Sequence, residues 1–85
     1  MKGISFIGRS LEDLIEFPVD SKREAGYQLD RVQKDLEPND WKPMKAIGIG
    51  VSEIRIKDEH GIYRVIYVAK YLETVFVLHA FNKKT

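Results

Sequence analysis

The chain has 85 residues, 44% hydrophobic and 32% charged, with a net charge of +1 and no cysteine. This describes one small soluble domain, residues 1–85, near the lower size limit for a self-sufficient core. It excludes a disulfide framework, a thiolate metal site and, with no apolar run near ~20 residues, a membrane-spanning helix. The charge is divided: residues 1–41 carry six Lys/Arg against nine Asp/Glu, and residues 42–85 carry eight against four, so an acidic half precedes a basic half able to face a polyanion.

GISFIG (residues 3–8) sets Ile4, Phe6 and Ile7 between glycines and reads as a short strand. The N-terminal stretch has no signal-peptide cleavage region, which predicts a cytoplasmic protein. In SLEDLIEFP, Ser10 is placed to cap a helix whose apolar face is Leu11, Leu14 and Ile15, and Pro18 stops it. The next helix, SKREAGYQLDRVQKDLEP, has capping-box spacing at Ser21 and Glu24 and an apolar stripe at Ala25, Leu29, Val32 and Leu36, and Pro38 ends it. Gly26 weakens that helix by ~1 kcal/mol relative to Ala, for which close helix–helix contact is the expected reason. The link FPVD predicts an antiparallel helix pair.

NDWKPMKAIGIGV, with Pro43, Gly48 and Gly50, reads as an irregular connector. Trp41 is expected to close the end of the core, with stacking on a base as the alternative. Three strands follow: SEIRIK (52–57), IYRVIYVA (62–69) and TVFVLHAF (74–81). The short links DEHG and KYLE predict two hairpins and an antiparallel meander. The pattern β-α-α-β-β-β gives an α+β domain with the helices on one sheet face.

With four-residue loops and no bulge, Arg55 lies opposite Arg64 and Arg64 opposite His79, all on one face with Glu53, Lys57 and, if the last strand continues, Lys83. Ile54, Ile56, Tyr63, Val65, Tyr67, Phe76 and Leu78 then face the helices, and Ile62, Ile66, Val68, Val75, Val77 and Phe81 lie beside the charges. Like charges directly opposite on a sheet are destabilising, so folding alone does not favour the row. Apolar surface ringed by cations marks a binding site. A plain solvated face, with arginine stems lying over the apolar residues, is the competing reading.

Glu53-Ile54-Arg55, Gly61-Ile62-Tyr63-Arg64-Val65-Ile66-Tyr67 and Leu78-His79-Ala80-Phe81-Asn82-Lys83-Lys84-Thr85, with the W-K-P connector before them, are arranged in a recognisable order and spacing. In this the chain resembles the RelE/ParE superfamily of bacterial type II toxins, and within it the HigB-like, phage-related branch. The resemblance implies a cognate antitoxin, often a helix-turn-helix protein, as partner. It also implies metal-independent, cofactor-free cleavage of mRNA in the ribosome. The substrate's 2′-OH would attack the adjacent phosphorus, with Arg55 and Arg64 stabilising the phosphoryl oxygens. Lys83, with Lys84, would contact phosphate or assist the leaving group. His79 would be the general base, since imidazole exchanges protons near neutral pH, and Lys57 or Glu53 are alternatives. Lys45, Lys57, Tyr63 and Lys84 are the expected substrate contacts.

Two other functions are open at this level: ParE-like, non-catalytic inhibition of DNA gyrase, and a protein-binding adaptor. On the nuclease reading, Arg64→Ala should abolish toxicity while stability is kept or raised. Strand alternation sets Lys83 beside the arginine row and Lys84 on the other side.

Overall fold

Asp58 makes the first hairpin. Its Oδ1 accepts the backbone N–H groups of His60 at 2.7 Å and Gly61 at 3.1 Å, and Gly61 adopts φ 147°, a conformation that favours glycine. The turn is therefore only Glu59-His60, tighter than the four residues expected, and the pairing still sets Arg55 opposite Arg64. The computed structural model describes residues 1–83. Its elements are β1 (Gly3–Phe6), α1 (Ser10–Ile15), α2 (Val19–Gln33), β2 (Trp41–Pro43), β3 (Val51–Asp58), β4 (Gly61–Val68) and β5 (Thr74–Lys83). The sheet order is β1-β5-β4-β3-β2, with β1 parallel to β5 and the other pairs antiparallel. This is the expected α+β architecture. The connector adds a fifth, three-residue strand, because Trp41–Pro43 pairs with the Ser52–Ile54 stretch of β3.

The second hairpin departs from the expected register. Arg64 pairs with Phe81, not His79, and His79 pairs with Ile66. Beyond Ile66 a bulge shifts the pairing, so that Tyr67 meets Val77 and Val68 meets Phe76, with Leu78 as the extra residue. The shift of two in the outer half keeps His79 on the same face as the arginines. The odd shift past the bulge exchanges faces: Val75 and Val77 join Ala80 in the helix-side core, whereas Phe76 and Leu78 pack on the other side.

The main core sets those three residues with Ile54, Ile56, Tyr63, Val65 and Tyr67 against Leu14, Phe17, Ala25, Leu29 and Val32 of the helical segment. Fully burying each large apolar side chain stabilises by ~1.5–3 kcal/mol. The opposite face has a smaller cluster of Val51, Ile66 and Val68, joined by Met44, Phe76, Leu78 and Phe81. No helical residue belongs to it.

Several helix expectations are revised. Ser10 and Ser21 do not cap, and the capping positions are Arg9 and Pro18. Instead the buried Ser10 Oγ donates to the Val77 carbonyl at 3.1 Å, and Ser21 Oγ donates to Asp58 Oδ2 at 2.5 Å. Both hydroxyls thus tie helix to sheet. Leu11, Ile15 and Leu36 are exposed, the last because α2 ends at Gln33 and Asp35 turns the chain at φ 61°. A Cβ on Gly26 would meet nothing within 4 Å, so helix contact does not account for that glycine. Among the described residues, no helix is long and apolar enough to cross a membrane.

Candidate functional site

Alternation along β3 and β4 brings Glu53, Arg55 and Lys57 onto the helix-free face with Ile62, Arg64 and Ile66. Three pair rows cross this face: Glu53–Ile66–His79, Arg55–Arg64–Phe81, and Lys57–Ile62. The two guanidinium groups therefore sit in the middle row, with an imidazole on one side and a lysine of β3 on the other.

The like-charge pairing is offset locally. Arg64 Nη1 donates to Glu53 Oε1 at 2.5 Å, with the two side chains only 13% and 3% exposed. Arg55 Nη2 donates to Asp40 Oδ1 at 2.9 Å, where the side chains are 34% and 40% exposed. The Arg55 backbone N–H also donates to the Asp40 carbonyl at 2.9 Å, so the residue before β2 holds Arg55 by both main chain and side chain. The Nε atoms of both arginines are buried and have no hydrogen-bond partner among the described residues. A guanidinium has five N–H donors, so each ion pair leaves donors for an anion.

His79 is exposed and its ring stacks on Phe81 at 4.8 Å between centroids and 29° between planes. Since Phe81 pairs with Arg64, His79 is the diagonal neighbour of Arg64, a relation that spans ~7–8 Å between Cα atoms in an antiparallel sheet. Arg55 and Lys57 also line a groove of about 260 Å³ at the strand edge with Glu24, Gln28, Asn39 and Asp40. The larger hollow, about 750 Å³, is elsewhere, among Ile7, Ile49, Val68, Leu72, Phe76 and Leu78. Among the described residues, no group of three or more His, Asp or Glu side chains is placed to hold a metal ion.

The other expected site residues are dispersed. Lys57 is exposed one row from the arginines. Lys45 lies in the turn between β2 and β3, beyond the Val51 end of β3, and does not join the rows. Tyr63 is on the helix side, 5% exposed, with its ring 4.8 Å from that of Phe17. It is a core residue, because its position in β4 has the opposite parity to Arg64. Lys83 pairs by its backbone with Ile62; its side chain, Lys84 and Thr85 lie outside the described residues. Sequence reasoning missed Asp40, which has no fixed spacing from Arg55. The pairing of Glu53 was partly legible, since i and i+2 on a strand share a face.

The family model described as Phage derived protein Gp49-like (DUF891) matches residues 12–85. No curated protein and no solved structure matches the chain. The matched span includes both helices almost entirely, β2 to β5, and every residue of the arginine rows. The chain belongs to the family of Gp49-like phage-derived proteins.

Proposed function

We propose that this protein is the toxin of a type II toxin–antitoxin system, of the HigB-like branch, and that it inhibits translation by cleaving mRNA on the ribosome. The Gp49-like family is related to the RelE-type toxins, which supports the toxin reading. The observation that carries the chemistry is the opposed pair Arg55 and Arg64 on the helix-free face, beside an exposed imidazole.

In this mechanism the 2′-OH of the RNA attacks the neighbouring phosphorus. An O2′–P bond forms, the P–O5′ bond breaks, and the products are a 2′,3′-cyclic phosphate and a 5′-hydroxyl. His79 takes the 2′-OH proton, and the free guanidinium donors of Arg55 and Arg64 stabilise charge on the non-bridging oxygens. Lys83 donates a proton to the departing 5′-oxygen, giving the 5′-hydroxyl, and Lys57 and Lys84 contact flanking phosphates. Glu53 is less suited to act as base, because its carboxylate is buried and held by Arg64. The attacking group belongs to the substrate, so the scheme needs no metal and no cofactor. A cognate antitoxin, expected to be a helix-turn-helix protein, neutralises the toxin.

The test is a translating mixture with a defined message carrying one 2′-deoxynucleotide at the mapped cut. Cleavage should disappear at that position alone, and the natural message should show cyclic-phosphate ends. An intact message together with relaxed plasmid would favour gyrase inhibition.

A further inference from the structure

The geometry points to Glu53 as a positioning residue for Arg64: its buried carboxylate holds the Nη1 end of the guanidinium and so biases the direction in which the remaining N–H groups meet phosphate. The inference rests on the proposed RNA-phosphate site. The Glu53 side chain is 3% exposed, and its Oε1 accepts from Arg64 Nη1 at 2.5 Å. The two residues are diagonal neighbours on adjacent strands, since Glu53 pairs with Ile66 and Arg64 with Arg55. Buried apolar residues adjoin the pair on this face, Val51, Ile66 and Val68, with Arg55 opposite Arg64.

A buried ion pair adds little stability over apolar residues of similar volume. An apolar pair would continue the neighbouring cluster, so stability alone is a weak reason for Glu53. Direction is a stronger one. A charge-assisted hydrogen bond from one guanidinium nitrogen to a buried carboxylate restricts the orientation of the planar group. Donors held in place before the reaction need no reorganisation as charge develops on the phosphoryl oxygens. The contrast with Arg55 supports the assignment, because its partner Asp40 is 40% exposed and the two arginines are held unequally.

The experiment has two arms. In the first, ¹⁵N NMR of the arginine side chains reads rotation about the Arg64 Nε–Cζ bond and exchange of its Nε–H. Wild-type protein should show slow rotation and slow exchange, and Glu53→Gln should show averaging of both. In the second, single-turnover cleavage of ribosome-bound message and affinity for an uncleavable 2′-deoxy message are measured. Glu53→Gln should cleave about tenfold more slowly with affinity changed less than about twofold, and Glu53→Asp should lie between it and wild type. In an Arg64→Ala background, Glu53→Gln should cause no further loss.

An equal loss in that background would overturn the inference, as would unchanged cleavage by Glu53→Gln. If wild-type protein cleaves no message, the functional reading fails, and the NMR arm alone decides about Glu53. A freely rotating Arg64 in wild type would then refute the positioning role, and a restricted one would sustain it. That arm needs no variant, so a Glu53→Gln protein that fails to fold does not remove the test.

Discussion

Arg55 and Arg64 stand directly opposite each other on β3 and β4, and each is met by a different acid, Asp40 for the first and Glu53 for the second. The difference lies in burial. The Glu53–Arg64 pair is almost closed to solvent, and the Asp40–Arg55 pair is partly open to it. Coulomb attraction is screened in the second pair and much less so in the first, so the two arginines should respond differently to substitution even though they share one row.

Arg64→Ala should destabilise the protein by about 3–5 kcal/mol, because it leaves the Glu53 carboxylate buried without its partner. This reverses the expectation, drawn from like-charge opposition alone, that stability would be kept or raised. Urea denaturation of the variant checks the sign. The double substitution Glu53→Leu with Arg64→Met should recover most of that stability and none of the activity.

Arg55→Ala should cost less than Arg64→Ala, about 1 kcal/mol, since its ion pair is only part-buried and Asp40 stays within reach of water once the arginine is gone. Its effect on cleavage should nevertheless be a loss of about 10²–10³ in rate, the scale for removing one transition-state donor. Parallel denaturation curves and single-turnover rates for the two arginine variants separate the structural from the chemical contribution.

The arginine row was legible because SEIRIK alternates cleanly and a short hairpin leaves little freedom in register. β5 was not. In TVFVLHAF nearly every position is apolar, so no alternation reports which side faces the core, and nothing in the string marks the bulge at Leu78. The partner of Arg55 was hidden for another reason: Asp40 comes from a connector whose path depends on β2 pairing at the sheet edge. Ser10 and Ser21 read as caps because a serine before an apolar helical run fits that role, and tertiary partners on β5 and at the end of β3 took their hydroxyls instead.

The bulge gives a ranking that the unbulged register would reverse. Val77 is fully buried on the helix side, and Leu78 is half-buried on the other. Val77→Ala should cost about 2 kcal/mol from lost apolar burial and the cavity left behind. Leu78→Ala should cost less although it removes more atoms. Midpoints of chemical denaturation for the two variants decide the order.

Stability should also fall in acid through Asp58. The Ser21 hydroxyl is the main cause holding its carboxyl below the ordinary value of 3.8, aided by the His60 and Gly61 backbone N–H groups and opposed by partial burial. A carboxyl whose folded pKa is depressed contributes stability that is fully present above its unfolded pKa. That contribution is lost as pH falls through the folded value. Ser21→Ala should therefore flatten the fall in stability below about pH 4 and lower stability at neutral pH. Melting temperatures of wild type and variant between pH 2 and pH 7 would show it.

On the function proposed above, the opposed arginines form a phosphate site for RNA cleavage. That role is tested most directly by primer extension on a defined message in cell-free translation with wild type, Arg55→Ala and Arg64→Ala, each checked for folding. Wild type should give discrete cuts, and both variants should lose them almost completely. A message left intact by folded wild-type protein would contradict that role, as would cuts of wild-type intensity made by either arginine variant.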